Sequence, residues 1–303
     1  MDEEHGTAQR PVKRRLVLQM LGKIGAMPIA GALIPTLIAE TTGRAAATTE
    51  KEPNGRTRQW VLIFDLRKCE GCVTTDKAPQ CIEACNAEHF VPKGQEWIKV
   101  FEVESPGGHT YFLPRPCMQC ENPPCLNVCP VGATYKNAEG VILVNHDRCI
   151  GCRMCMAACP YAARVFNWEQ PQNPPGATFA NYKPEFPVPH RQGTVEKCML
   201  CAHRTKDGKL PACAEHCPMF AVYLGDLTED IATNGKEVVK LSLFLSSNMA
   251  YRLKEELGTR PRVFYIPGHG QDSGHDMSMH REPMPARSWE EQGATLTSSD
   301  GGH

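Results

Sequence analysis

Sixteen cysteines, arranged in four groups of four, constrain this sequence more than any other feature, and none is left over. The first two groups are Cys69, Cys72, Cys81 and Cys85, then Cys117, Cys120, Cys125 and Cys129. The other two are Cys149, Cys152, Cys155 and Cys159, then Cys198, Cys201, Cys213 and Cys217. Sixteen is too many for an ordinary enzyme, yet too dilute over 303 residues for a small disulfide scaffold. The spacing must therefore separate metal ligands from disulfides.

Every group opens with C-x2-C and closes with C-x3-C, and proline follows the last three groups. The third group is the complete bacterial C-x2-C-x2-C-x3-C-P run for [4Fe–4S] clusters. A loop that presents a thiolate every third residue can surround three corners of a cubane. We expect the fourth cysteine to start a short helix on the far side and to reach a different cluster. The proline after it helps to turn the chain away.

Other cysteine chemistries fit this spacing less well. Structural zinc sites usually pair two C-x2-C units across a longer spacer, which the third group lacks. Disulfides are disfavoured because the two cysteines of each C-x2-C pair are too close in sequence to make a useful crosslink. Haem c attachment needs histidine directly after such a pair, and no pair here has one. The sequence predicts four [4Fe–4S] clusters with all sixteen cysteines as iron ligands, and zinc is the alternative.

The first 47 residues are typical of an export signal. Basic residues at 13–15 precede a moderately apolar run over 16–39, and three alanines at 45–47 follow. This pattern predicts a signal peptide, with Thr48 as the first mature residue. The paired arginines resemble a twin-arginine signal, whose route carries proteins already folded with their cofactors. We therefore expect a periplasmic or otherwise extracytoplasmic protein; an uncleaved membrane anchor is the alternative, against which a lysine and two prolines in the run count.

Composition and motifs argue against catalysis by the chain itself. The formal charge of −1 gives no reason to expect a nucleic-acid partner. The sequence has no H-E-x-x-H, phosphate loop or dinucleotide fingerprint. Clusters held by four cysteines leave no open position for a substrate, so one-electron transfer is the predicted chemistry and no catalytic residue is expected.

Short apolar segments around the cysteine groups predict an α+β fold with small sheets, short helices and long loops. Strands are predicted over 60–66, 97–104, 111–113, 141–144 and 221–224. Short helices are predicted over 81–89, 124–128, 154–158 and 211–216. Strand, cysteine loop, short helix and strand make one ferredoxin unit, so four such loops predict two bacterial-type ferredoxin modules.

The order of the groups predicts that one module is inserted in the other. The outer module takes residues 57–114 and 191–230, and the inserted module takes 115–170. A Pro-rich connection over 171–190 joins them along the surface, with an independent disordered linker as the alternative.

The C-terminal part carries no cysteine, and we expect a packing or docking element over 236–267. Within it, a helix is predicted over 241–257, with Gly258 as its C-cap, and a strand over 261–266. Residues 268–303 are polar and predict a disordered tail, in which His269, His275 and His280 are solvated rather than metal ligands.

At this point the sequence resembles a known family. The match lies in the four cysteine groups, the twin-arginine-like leader, CIGCRMCMAACPYAARVF at 149–166 and RLKEELGTRPRVFYIP at 252–267. These resemble the four-cluster iron–sulfur subunit of molybdopterin oxidoreductases of the dimethyl sulfoxide, polysulfide and tetrathionate reductase type. An exported subunit of formate-dependent nitrite reductase systems is similar. The resemblance covers about residues 57–267.

The resemblance implies crossed ligation, in which the fourth cysteine of one group completes the cluster of another. Set A is Cys69, Cys72, Cys81 and Cys217, and set B is Cys85, Cys198, Cys201 and Cys213. Set C is Cys117, Cys120, Cys125 and Cys159, and set D is Cys129, Cys149, Cys152 and Cys155. One departure concerns Cys81, which eight residues separate from Cys72 where most members have two.

The resemblance also implies partners. The chain would carry electrons between a molybdopterin catalytic subunit and an integral membrane subunit that exchanges with quinone. The alternatives are a stand-alone exported polyferredoxin, a partner of a multihaem cytochrome reductase, and an enzyme with a substrate-binding cluster. Basic residues beside the cysteines are expected to offset the negative charge of the clusters: Arg67, Lys68, Arg115, Arg148, Arg153, Lys197 and Arg204.

Overall fold

The structure, a computed structural model, describes residues 57–75, 77–105 and 108–268. The predicted signal peptide and the tail histidines His269, His275 and His280 lie outside the described residues. Within them, the strands are β1 (Trp60–Asp65), β2 (Lys99–Glu104), β3 (Thr110–Arg115), β4 (Thr134–Lys136), β5 (Ile142–Val144), β6 (Val165–Phe166), β7 (Val195–Glu196), β8 (Val222–Asp226), β9 (Ile231–Thr233), β10 (Val238–Lys240) and β11 (Val263–Ile266). The α-helices are α1 (Gln80–His89), α2 (Pro124–Asn127), α3 (Met154–Ala157), α4 (Ala202–Lys206), α5 (Ala212–Glu215) and α6 (Leu241–Ser247).

A five-stranded sheet, in the order β10-β9-β8-β1-β11, joins the two ends of the described chain. Strand β1 pairs parallel with β11 and antiparallel with β8. All six residues of β1 are buried, because each face of the strand packs into a different core. Leu62 and Phe64 belong to the large core that reaches the cysteines, whereas Val61 and Ile63 pack in a smaller core with Leu241 of α6.

Three two-stranded sheets complete the α+β architecture. They pair β2 with β3, β4 with β5, and β6 with β7, all antiparallel. The strands predicted over 97–104, 111–113, 141–144 and 221–224 correspond to β2, β3, β5 and β8. Sequence reasoning missed β4, β6, β7, β9 and β10, which are only two or three residues long.

The short helices pack in two pairs. Helix α1 packs on α5, and α2 packs on α3. The first pair brings together the first and fourth cysteine groups, although about 120 residues of chain lie between them. The second pair brings together the second and third groups. Short helices were predicted at all four places, and their bounds agree to within two residues.

The fourth cysteine of a group does not start a short helix, contrary to the prediction. In groups two, three and four the third cysteine lies on the helix, and the fourth follows the helix by two residues. In the first group, α1 carries both Cys81 and Cys85. The three short helices are single turns that end at once, because a proline follows the fourth cysteine and a left-handed residue comes two positions later.

The prediction of a single helix over 241–257 is wrong. Helix α6 ends at Ser247, and Tyr251 instead forms a bridge with Tyr265 of β11. The chain can make this turn because Met249 and Lys254 adopt left-handed φ angles of 51° and 53°. The apolar positions do not form one buried stripe, since Leu243 and Met249 are exposed. Gly258, at φ 66°, caps a short 3-10 helix over Glu255–Leu257.

The Pro-rich connection packs against its neighbours. The Tyr182 ring stacks on His146, and the Tyr182 hydroxyl donates to the Val144 carbonyl at 3.3 Å. Phe186 packs against the rings of His89 and His203. An independent disordered linker would not make such packing contacts with its neighbours. In the described part of the chain, no helix has the length and apolar character needed to cross a membrane.

Candidate metal centre

All sixteen cysteines lie in the described part of the chain, and all are free thiols. Interactions between thiols, and one shared hollow, link members of each of the sets A to D. Burial and then the charges of Cys198, Cys201 and Cys213 raise the pKa of Cys85 well above its usual value. Set B is the deepest of the four, since all its members are buried.

Set A includes Cys81 in spite of the long loop that precedes it. Cys81 lies in the first turn of α1, where burial and then the charges of Cys69, Cys217 and Cys72 raise its pKa well above the usual range. The pKa of Cys69 rises to about 12 for the same reasons, burial first. The extra residues of the first group form a 3-10 turn at Val73–Thr75 and leave Cys81 close to its predicted neighbours.

Sets C and D belong to the second helix pair. Burial and the charges of Cys117, Cys125 and Cys159 act together on Cys120, whose pKa rises to about 12. The four cysteines of set D line a single hollow beside β4 and α3. Cys152 of this set is exposed, and the neighbouring Ile150 and Met154 are also exposed at 64% and 53%. Set D therefore lies at the surface of the described chain.

Contacts between sets place them in the order A, B, C, D. Cys81 of set A and Cys85 of set B lie one helical turn apart on α1 and influence each other electrostatically. The Cys117 N–H of set C donates to the Cys198 thiol of set B. Cys125 of set C and Cys155 of set D interact across the α2–α3 pair.

The C-x2-C loops curl around each set through residues with left-handed φ angles. In the third group these are Gly151, at 69°, and Arg153, at 60°. A Cβ atom on Gly151 would lie 2.4 Å from the Gly193 carbonyl oxygen, so only glycine fits there. Gly71 has the same role in the first group, where a Cβ atom would lie 2.4 Å from the Phe112 ring.

A second repeated turn directs backbone N–H groups at sulfur. Three residues after Cys129 and Cys217, the backbone is left-handed, and the next N–H donates to the cysteine sulfur. The distances are 3.2 Å from Ala133 to Cys129 and 3.3 Å from Ala221 to Cys217. Burial alone would raise the pKa of Cys129, but N–H groups from 131–134 outweigh burial and lower it. Such donors stabilise negative charge on a metal-bound thiolate.

Most basic residues expected beside the cysteines have other partners. Arg67 pairs with Asp65 at 2.8 Å, Lys68 pairs with Glu237 at 2.9 Å, and Arg153 stacks on the exposed Trp168 ring. Burial raises the pKa of Cys198 to about 11 and that of Cys201 to about 12, and the charges of Lys197 and Arg204 act against this rise.

Sequence reasoning missed Arg164, which is only 5% exposed. Its guanidinium interacts with the thiols of Cys125 and Cys155, and Nη1 donates to Thr134 Oγ1 at 3.3 Å. The buried Nη2 has no hydrogen-bond partner within the described residues. A signal existed in the sequence, because Arg164 is the one charge in the run Ala162-Ala163-Arg164-Val165-Phe166.

Sequence reasoning also missed a buried polar network beside set B. His89 Nε2 lies 3.2 Å from Cys201 Sγ. His190 donates from Nε2 to the His89 carbonyl at 2.8 Å and from Nδ1 to Glu196 at 2.8 Å. Burial opposes protonation of His190, but the Glu196 charge and these hydrogen bonds outweigh it and raise the pKa of His190.

The residues of each set fit an iron–sulfur cluster. Thiols packed together, as Cys85 is with Cys198, Cys201 and Cys213, carry negative charge only when a positive metal centre takes up that charge. Arg164 is a buried cation with no carboxylate partner at its contacts, which is favourable only beside an anionic group. Among the described residues, no three His, Cys, Asp or Glu side chains lie close enough together to hold one metal ion.

Comparison with known proteins gives the same class. Residues 109–173 and 185–227 match the 4Fe-4S dicluster domain family. The matching selenate reductase subunit from Mesobacillus selenatarsenatis is 38% identical over 69% of this chain and 72% of its own length. The menaquinone reductase iron–sulfur cluster-binding subunit of Nitratidesulfovibrio vulgaris is 38% identical over 69% of this chain and 88% of its own. The matching tetrathionate reductase subunit from Salmonella typhimurium is 30% identical over 90% of this chain and 95% of its own.

The fold, the cysteine sets and these similarities define a ferredoxin-type iron–sulfur protein that binds [4Fe–4S] clusters. Within that class, the chain belongs to the family of iron–sulfur cluster-binding subunits of the dimethyl sulfoxide, selenate, tetrathionate and arsenate reductase-type molybdoenzymes. Members of this family are electron-transfer subunits of reductase complexes, with a molybdopterin catalytic partner.

Proposed function

We propose that the chain holds four [4Fe–4S] clusters, one in each of sets A to D, with all sixteen cysteines as ligands. The single observation that carries this proposal is the grouping of the thiols, because each set draws three cysteines from one group and the fourth from another. In this arrangement the inserted module holds sets C and D, and the outer module holds sets A and B. The two helix pairs support it, since α1 packs on α5 and α2 on α3.

The clusters form a series of electron carriers, referred to as the wire, in the order A, B, C, D. When bound, each cluster supplies one-electron redox chemistry, and the chain supplies ligands, burial and hydrogen bonds to sulfur that set its potential. The buried set B lies inside the wire. Set D lies at one end, near the exposed Cys152, and set A lies at the other end, beside Val73, which is 53% exposed. Electrons enter at one end and leave at the other.

The two ends fit two partners, a molybdopterin catalytic subunit and an integral membrane subunit that exchanges with quinone. The similarity to a menaquinone reductase subunit supports the second partner. The basic segment at 13–15, the apolar run after it and the alanines at 45–47 support export by the twin-arginine route to the extracytoplasmic face of the membrane.

Purification of the tagged chain from its native membrane, without oxygen, tests the proposed complex. We expect a molybdenum- and pterin-containing subunit and a membrane subunit to co-purify, and a menaquinol analogue to reduce the catalytic subunit. Cys85→Ser removes a ligand of the buried set B and should abolish this electron transfer. Met249→Ser, at a side chain 76% exposed and without a ligand role, is the control. Isolation of the fully loaded chain alone, or electron transfer unchanged in Cys85→Ser, would contradict the proposal.

Export has a separate test in the mature N-terminus. We expect the mature chain to begin at Thr48, and Arg14→Lys together with Arg15→Lys to leave the precursor in the cytoplasm. A chain that keeps residues 1–47 in the exported fraction would support the membrane-anchor alternative.

A further inference from the structure

Arg164 lies between two of the four cysteine sets. It follows the turn after Cys159 and directly precedes β6, and it is 5% exposed. From this position the guanidinium reaches Cys125 on α2, which belongs to set C, and Cys155 on α3, which belongs to set D. One side chain therefore contacts a ligand of each of two neighbouring clusters.

The charge of Arg164 has no carboxylate to balance it at these contacts. The interactions found for its guanidinium are with the thiols of Cys117, Cys125 and Cys155 and with the Thr134 hydroxyl, 3.3 Å from Nη1. Its Nη2 is buried without a hydrogen-bond partner in the described residues. Burying an unpaired cation costs several kcal/mol, so this position is stable only beside compensating negative charge.

Three other buried or partly buried cations differ from Arg164. Lys197 donates to the carbonyls of Ile142 and Cys198. Arg204 pairs with Glu88 at 2.7 Å and also with Glu215. Arg262 donates to Gln59 Oε1 at 2.9 Å. Each of these three has oxygen acceptors from the protein, whereas the thiols are the anionic partners available to Arg164.

We propose that Arg164 is a positioning residue for electron transfer that links the clusters of sets C and D electrostatically and raises the reduction potentials of both. The inference rests on the proposed function, since it requires clusters in these two sets. Reduction adds one negative charge to a cluster, and a fixed positive charge beside it stabilises the reduced form. Because one guanidinium contacts both sets, it stabilises the reduced form of either cluster, so both potentials fall when its charge is removed.

An EPR-monitored redox titration of the anaerobically purified chain tests this role. In Arg164→Gln, two of the four clusters should shift to lower potential and the other two should keep their wild-type values. Arg164→Lys keeps the charge and should stay close to wild type. Arg262→Gln is the matched control, because it removes a similarly buried arginine that faces Gln59 and Glu121 rather than thiols. It should shift none of the four.

Three results of the titration would overturn the inference: no shift in Arg164→Gln, a shift of one cluster alone, or an equal shift of all four. If Arg164→Gln takes up only about half of the iron, the iron content of Arg164→Lys shows whether the loss is due to the missing positive charge. Recovery to about 16 irons per chain supports a requirement for charge, and no recovery contradicts it. Failure of the proposed function is distinguishable, because the wild-type chain itself would then lack about 16 irons.

Discussion

At the residue scale, His89 supplies a hydrogen-bond donor to the buried set B. Its Nε2 lies 3.2 Å from Cys201 Sγ, and burial is the main cause that holds the pKa of His89 well below its usual value. The ring is therefore neutral, with its proton on Nε2 when it donates to a cysteine thiolate. Trp97 packs against the ring in a tilted arrangement, with 4.8 Å between centroids, and keeps it in place.

Replacing His89 tests this donor. In His89→Leu, which removes the N–H, we expect one cluster to shift to lower potential, because a hydrogen bond to a ligand sulfur stabilises the reduced form. His89→Gln keeps an N–H at a similar reach and should recover part of the shift. The measurement is a redox titration followed by EPR. Equal effects of Leu and Gln would show that His89 acts through packing and not through its hydrogen bond.

A buried ion pair between His190 and Glu196 gives a pH-dependent contribution to stability. Both side chains are fully buried, and their atoms lie 2.8 Å apart. The pKa of His190 is raised above 6.5, so its contribution is complete below that value and is lost as pH rises through the raised pKa. Although burial acts against ionisation of Glu196, the His190 charge lowers its pKa below 4.5, so this contribution is lost as pH falls through the lowered value.

Urea unfolding of the loaded protein measures this contribution. His190→Gln leaves Glu196 buried without its charged partner, and we expect it to lower the free energy of unfolding by about 3–5 kcal/mol. The difference from wild type should be largest between about pH 5 and 6 and should shrink at higher pH, as wild-type His190 loses its proton. A difference that stays constant from pH 5 to 9 would exclude the ion pair.

At the scale of elements, the curled C-x2-C loop of the third group depends on Gly151. Gly151→Ala combines an unfavourable φ angle with a Cβ atom 2.4 Å from the Gly193 carbonyl oxygen. Gly176→Ala is the matched control, because Gly176 also has a left-handed φ, of 79°, but has open space around it and lies in the Pro-rich connection. We expect about 1–2 kcal/mol of destabilisation in the control and a larger loss in Gly151→Ala.

Iron content separates the two glycine variants further. Gly151→Ala should lose about four of 16 irons, since set D is the one its loop surrounds, and Gly176→Ala should keep all of them. Equal iron content in the two variants would mean that the loop tolerates the added methyl group. Unfolding midpoints and iron per chain are the two measurements.

The elements beside the cysteines could be predicted from the sequence, and those distant from them less well. The spacing of the cysteines marks single-turn helices, so α2, α3 and α5 follow from it. The periodicity of Leu243, Leu245 and Met249 favoured a long helix, but the bridge between Tyr251 and Tyr265 ends it, because pairing with β11 is a tertiary contact that periodicity cannot report. Strands of two or three residues, such as β6, lack any recognisable pattern.

At the scale of the whole molecule, the sequence predicts a grouping of the cysteines but not their surroundings. The resemblance implied the four sets, including Cys81 across its long loop, and these sets stay a prediction. Arg164, His89 and His190 could not be assigned in advance, because their partners lie between 6 and 112 residues away in the sequence. A single sequence carries no direct signal for such contacts.

The linear order of the sets also follows from long-range packing. The α1–α5 pair joins sets A and B, the Cys117 N–H connects set C to Cys198 of set B, and the α2–α3 pair joins sets C and D. In the proposed arrangement, the chain leaves the first group, forms sets C and D from the inserted part, and returns to complete sets A and B. This path gives one buried centre and two ends from a single polypeptide.

The content of iron and acid-labile sulfide in the wild-type chain, purified without oxygen, tests the central claim most directly. Four clusters predict about 16 irons and 16 sulfides per chain, with EPR signals from four centres on reduction. About 12 of each would mean that one set, with set A and its Cys81 the first to examine, does not hold a cluster. About four zinc ions and no sulfide would contradict the assignment of [4Fe–4S] clusters altogether.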